Sequence, residues 1–81
     1  SWMAWIEAND STLINLAYVK EIAIEETGNG CSLAAKFENG SHTLTVYPNR
    51  DVAEKSMTFI KDLLIQGKPV ITMWEYIIIN N

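Results

Sequence analysis

His42 and Cys31 are the side chains in this 81-residue sequence best suited to move a proton or attack an electrophile, and each type occurs once. A histidine base needs a nucleophile beside it and a group that orients its ring. His42 lies in a strand-like run just past Asn39-Gly40, on the face of Leu44 and Val46, and its neighbours fix neither partner. A lone histidine at a strand end reads as structural or solvated. Cys31 would need an electropositive setting to lower its thiol pKa, and Gly30 and Ser32 supply none. It reads as a small residue at a strand edge. One cysteine, one histidine and scattered carboxylates give no ligand pair at a recognised metal-site spacing. Glu25-Glu26 is the only acidic doublet, and adjacent strand residues point to opposite faces. Gly28-Asn29-Gly30 leads into a strand-like run and not a helix, so it is no phosphate loop. The sequence therefore nominates no catalytic residue, no metal ligand and no cofactor site, and the expectation is a protein that is not an enzyme.

The aromatic residues are the remaining means of recognition. Trp2, Trp5 and Trp74, with Tyr18, Tyr47 and Tyr76, could line a ligand cleft or stack bases. Completing a small core or an interface is the commoner use, and tryptophan is enriched among interface hot spots. A formal charge of −4, with six basic residues scattered along the chain, disfavours a nucleic-acid backbone as the main partner. Ten acidic residues against six basic ones are also too dispersed for an acidic decoy of a basic groove.

The totals fit one folded domain over residues 1–81. With 48% hydrophobic and 20% charged residues the chain can bury a core, and disorder is not expected. At this size a single core is only marginally sufficient, which favours extra burial by self-association. The longest apolar run, residues 70–79, is about half the roughly 20 residues a membrane span requires and contains Glu75. No basic segment followed by an apolar one suggests a signal peptide. A lone cysteine forms no internal disulfide, which suits a cytoplasmic setting.

Residues 49–66 carry the one clear helical period. Ala53, Met57, Ile60 and Leu64 recur at helical spacing, Val52, Ser56, Phe59 and Leu63 flank them, and Ile65 lies on the otherwise polar back. Asn49 is a good N-cap, Asp51 and Glu54 suit the first turn, Asp51 can pair with Lys55, and Gly67 followed by Pro69 stops the helix. The stretch spans roughly 25 Å, enough to cross a small sheet.

Before it, residues 3–8, 12–15, 20–26, 32–38 and 41–47 alternate as short strands. Asn9-Asp10-Ser11, Gly28-Asn29-Gly30 and Asn39-Gly40 are the turns between them, with Asn39-Gly40 suited to type I′. The alternation slips over residues 16–19, where Asn15 can make a side-chain turn, so a corner or bulge is expected. On the last of these strands Leu44 and Val46 are expected inward.

Residues 70–79 are rich in β-branched and aromatic side chains on both alternating faces, and a single helix covers only one. This stretch is expected to be a strand that lies at a subunit interface or is exchanged with a neighbour, with Trp74, Tyr76, Ile77 and Ile79 as interface candidates; pairing with the first strand at the far edge of the sheet is the alternative.

The chain resembles the short uncharacterised proteins of Gram-positive bacteria and their phages in Trp5-Ile6, Leu13-Ile14-Asn15-Leu16, Val19, Ile22, Phe37, Asn39-Gly40, Tyr47 and Ala53. It is also distantly similar to the small flagellar FlbD proteins in its strands, Asn-Gly turn, strand and helix. The resemblance covers residues 3 to 66 and implies a fold and a bacterial or phage origin, with no catalytic residue to carry over.

Together these readings predict an α+β domain: an antiparallel β-meander with one α-helix packed on one face and a hydrophobic C-terminal β-strand. The expected function is that of a noncatalytic self-associating or protein-interaction module, most simply a homodimer, without a membrane partner. The alternative is a small-ligand or nucleic-acid-binding domain that uses its tryptophans.

Overall fold

The helical period of residues 49–66 is realised as α1 (Arg50–Ile65) in a computed structural model that describes residues 3–73. Asn49 is extended, and its side-chain oxygen accepts the Val52 N–H at 3.0 Å. That satisfies one of the donors a helix leaves open at its start. At the other end Gly67 takes φ +76°. The Gly67 N–H bonds the Leu64 carbonyl and the Lys68 N–H bonds the Leu63 carbonyl, which together make a Schellman cap. Ala53, Ser56, Ile60 and Leu63 are the buried residues of the helix, while Met57, Phe59 and Leu64 are half-buried beside them.

Of the four or five strands expected to form one antiparallel meander, three do so as a sheet of β3 (Glu21–Thr27), β4 (Gly30–Phe37) and β5 (Gly40–Tyr47), while the first two strands belong to a separate sheet. The helix contacts all three strands. Cys31, Leu33 and Ala35 of β4 join Leu44 and Tyr47 of β5 in the core with Ala53, Ile60 and Leu63. Tyr47 donates its hydroxyl to Ser56 Oγ at 2.6 Å, so the polar serine on the buried helix face is satisfied from the sheet. On the opposite face, Lys36 reaches Glu25 at 2.7 Å and Glu21 at 3.9 Å. The register sets Ala23 opposite Ala34 between those groups, so the lysine stem crosses the alanine pair and shields it.

Two local features differ from the sequence expectation. Neither Glu38 nor Asn39 takes a positive φ, which excludes a type I′ turn; Gly40, the first residue of β5, carries φ +116° instead. The left-handed requirement has moved one residue on, as in a turn followed by a glycine bulge. Within β5, Leu33 pairs with Thr45 but Ala34 pairs with Thr43, so Leu44 is an extra residue opposite β4. A bulge breaks the two-residue alternation. Leu44, Thr45 and Tyr47 are consequently all buried, and Val46, expected inward, is 58% exposed.

The two ends of the described chain form a second sheet of three short strands in the order β2 (Leu13–Asn15), β1 (Trp5–Glu7), β6 (Val70–Thr72). β1 is antiparallel to β2 and parallel to β6, with Ile6 opposite both Ile14 and Ile71. All three isoleucines are buried in the common core. The corner expected after Asn15 is a single 3-10 turn, Leu16–Tyr18, and Asn15 accepts the Ala17 N–H at 2.9 Å. The C-terminal strand is present for residues 70–72 and pairs within the chain; it ends earlier than expected, because Met73 is buried in helical conformation, and residues 74–79, including Trp74, Tyr76, Ile77 and Ile79, lie outside the described residues. The fold is α+β, with two sheets and one helix among the described residues.

Ile71 makes β6 part of the core, so Ile71→Ala should cost about 2–5 kcal/mol, much of the stability of a domain this small. A chain ending at Lys68 should then fail to show a cooperative urea transition. Gly30 gives a second check. At φ +150° a Cβ would strike the Tyr47 carbonyl oxygen, whereas around Gly67 the space is open. Gly67→Ala should lose about 1–2 kcal/mol from left-handed strain alone, and Gly30→Ala clearly more, in urea midpoints.

Candidate interaction surface

The sequence-nominated chemical groups do not converge. Cys31 pairs with Tyr47 and Ala35 with His42, so the cysteine and histidine sit four positions apart along the sheet, roughly 13 Å. Cys31 is buried, which pushes its thiol pKa up, and Glu26 pushes it further. A thiol held protonated in this way is a packing residue and a poor nucleophile. Glu25 and Glu26 separate as expected: Glu25 turns to Lys36, and Glu26 turns to Arg50 at 3.1 Å. Arg50 also reaches Glu54 at 3.2 Å and so ties the start of α1 to β3, while Lys55 pairs with Asp51 one turn along. These pairs are exposed and each contributes little to stability. Among the described residues no group of three or more His, Cys, Asp and Glu is placed to hold a metal ion. No described helix is long and apolar enough to cross a membrane.

His42 has a definite partner that its sequence neighbours did not reveal. Its Nε2 lies 3.0 Å from Asp10 Oδ2, in the turn between β1 and β2. The same turn donates the Asn9 N–H to the Leu44 carbonyl at 2.8 Å and contacts Thr45 Oγ1 through the Asn9 side chain at 3.4 Å. The bulge places these groups together, so the histidine belongs to a structural clasp between the two sheets. Spacing could not have found it, because Asp10 and His42 are 32 residues apart.

The aromatic set disperses as well. Tyr47 is in the core, Tyr18 is exposed on the 3-10 turn and Trp5 is half-buried. Trp2, Trp74 and Tyr76 lie outside the described residues.

What remains is the outer face of the β2–β1–β6 sheet. With Ile14, Ile6 and Ile71 turned inward, strand alternation turns Leu13, Asn15, Trp5, Glu7, Val70 and Thr72 outward. Val70, 48% exposed, and Asn15 lie on either side of the half-buried Trp5, and Leu13, 53% exposed, stands opposite Glu7. Glu7 is the one charged residue on this face and accepts a hydrogen bond from Thr72 Oγ1 at 3.4 Å. No described strand pairs with the outer edge of β6. The face is mixed: Leu13, Trp5 and Val70 are apolar, Asn15, Glu7 and Thr72 are polar, and of the six Leu13 and Val70 are the exposed ones while Thr72 is buried.

Comparison of the chain with protein-family models, curated proteins and solved structures gives no match.

The Asp10–His42 clasp yields a pH prediction. The Thr12 N–H, which donates to Asp10 Oδ1 at 3.0 Å, is the first cause that holds the Asp10 carboxyl below its ordinary value of 3.8; the Thr12 hydroxyl and His42 act in the same direction. A carboxyl depressed in the folded state stabilises the fold at pH values above its unfolded pKa, and that contribution disappears as pH falls through the folded value. Asp10→Asn should therefore be the less stable protein near neutrality. Its urea midpoint and that of the parent should converge under strongly acidic conditions.

Proposed function

We propose that this protein is a noncatalytic self-associating or protein-interaction module, with a homodimer as its simplest form. The observation that carries the reading is the outer face of the β2–β1–β6 sheet, where Val70 and Leu13 are exposed, Val70 directly beside Trp5 and Leu13 diagonal to it, next to an edge of β6 that no described strand pairs with. The chain continues from that edge into the interface candidates Trp74, Tyr76, Ile77 and Ile79. Partner burial of this face would supplement a core that is small for an independent domain. The cytoplasmic, bacterial or phage setting we attach to the module rests on its composition, its single cysteine and the family resemblance. The alternative use of tryptophans in ligand binding has less support, because Tyr47 is committed to the core.

Light scattering over a range of concentrations tests the reading. The full chain should approach twice its 9.1 kDa mass. Leu13→Glu with Val70→Glu, two exposed positions, should return it to monomer with unchanged circular dichroism, and so should Ile77→Asp with Ile79→Asp. A full chain that stays at 9.1 kDa at every concentration would overturn self-association.

A further inference from the structure

Two asparagines in this chain precede a glycine, Asn29 and Asn39, and both stand at the tips of two-residue hairpins of the same sheet. Asn29 lies in the β3–β4 turn closed by the Thr27 and Gly30 pair, and Asn39 in the β4–β5 turn closed by Phe37 and Gly40. Their surroundings differ. Gly30 is backed by the carbonyl oxygens of Tyr47 and Pro48, close enough that even a Cβ would not fit. Gly40 has no atom within 4 Å of a Cβ placed on it, and Asn39, Gly40 and Ser41 are all exposed.

We propose that Asn39 is a site of spontaneous deamidation and that the fold protects Asn29 from the same reaction. The chemistry needs only hydroxide and water. Hydroxide removes the Gly40 amide proton, the nitrogen attacks Asn39 Cγ, and the bond from Cγ to the side-chain nitrogen breaks with loss of ammonia. Water then opens the cyclic imide at either carbonyl and leaves aspartate or isoaspartate. The glycine backbone must rotate to bring its nitrogen onto Cγ. A hairpin tip with free space can open locally to do so, while one wedged against a neighbouring strand end must first separate from it. Asn39 therefore reacts from the folded state, and Asn29 must wait for a larger opening.

The product alters the sheet. Aspartate places a new negative charge next to Glu38, whose carboxylate lies 3.4 Å from Lys20. Isoaspartate also adds a methylene to the backbone in the turn that sets the β4–β5 register, on which the Leu44 bulge depends.

Trypsin separates the two sites, because cleavage after Lys20, Lys36 and Arg50 gives peptides 21–36, with Asn29, and 37–50, with Asn39. The full-length folded protein and the same protein in concentrated urea are incubated at mildly alkaline pH and digested, and the gain of one dalton in each peptide is followed by mass spectrometry. Fragment ions assign it to Asn39 rather than Asn49. In urea both peptides should convert at similar rates. In the folded protein peptide 37–50 should keep converting, with peptide 21–36 slower by about tenfold or more. Equal rates in the folded protein would overturn the protection of Asn29. Conversion of Asn39 in urea but not in the folded protein would overturn its assignment as a site.

Discussion

Ile6 is the residue on which both ends of the chain close. It is fully buried at the centre of a sheet whose strands are three residues each, with Ile14 on one side and Ile71 on the other. Strands this short do not hold together through their backbone bonds alone. They persist because the isoleucine row lies in the same core as Leu33, Leu44, Ala53, Ile60 and Leu63. Each buried isoleucine contributes roughly 1.5–3 kcal/mol as an upper estimate. The parallel pairing of β1 with β6 has the whole meander and helix as its crossover, so it is a pairing of high sequence separation, unlike the local β1–β2 hairpin.

The bulge in β5 is the counterpart of that closure on the other sheet. By adding Leu44 to one strand it turns the leucine inward and frees its carbonyl to accept the Asn9 N–H. The β1–β2 turn docks there, and Asp10 meets His42. One inserted residue thus joins the two sheets and occupies the only histidine. It also expels Val46 to the surface, because beyond the bulge the alternation is inverted. Of the groups the sequence singled out, His42 meets Asp10 in the clasp, Cys31 packs in the core, and Glu25 and Glu26 make surface ion pairs.

Much of the fold was legible in the sequence because local signals agreed with one another. Asn49, the helical stripe and Gly67 with Pro69 marked α1 to within a residue, and alternation over residues 20–47 marked the meander. Asn15 announced its corner through its own side chain. The errors share a cause. The bulge, the placement of the positive φ at Gly40 and the choice of the first strand, in parallel, as the partner of β6 over another subunit are decided by which segment lies alongside, and pattern along one strand carries no such information. The Asp10–His42 contact was hidden for the same reason. Of the surface features, Ile65 on the polar back of α1 was read correctly and is 79% exposed.

The two sheets differ in how their free edges are guarded, and this bears on where a partner would bind. β3 has seven residues and would make a long pairing edge, but Lys20, Glu21, Glu25 and Glu26 line it. Charges along an edge strand oppose pairing with another chain, because each would have to lose water or find a counterion. Three of these four are acidic, so a second copy approaching the same edge would also meet like charge. β6 reads Val-Ile-Thr, with no charge, and the exposed Leu13 and Val70 stand on the sheet it completes. Among the described residues the long edge of β3 is thus guarded by charge, and the edge of β6 by its shortness alone.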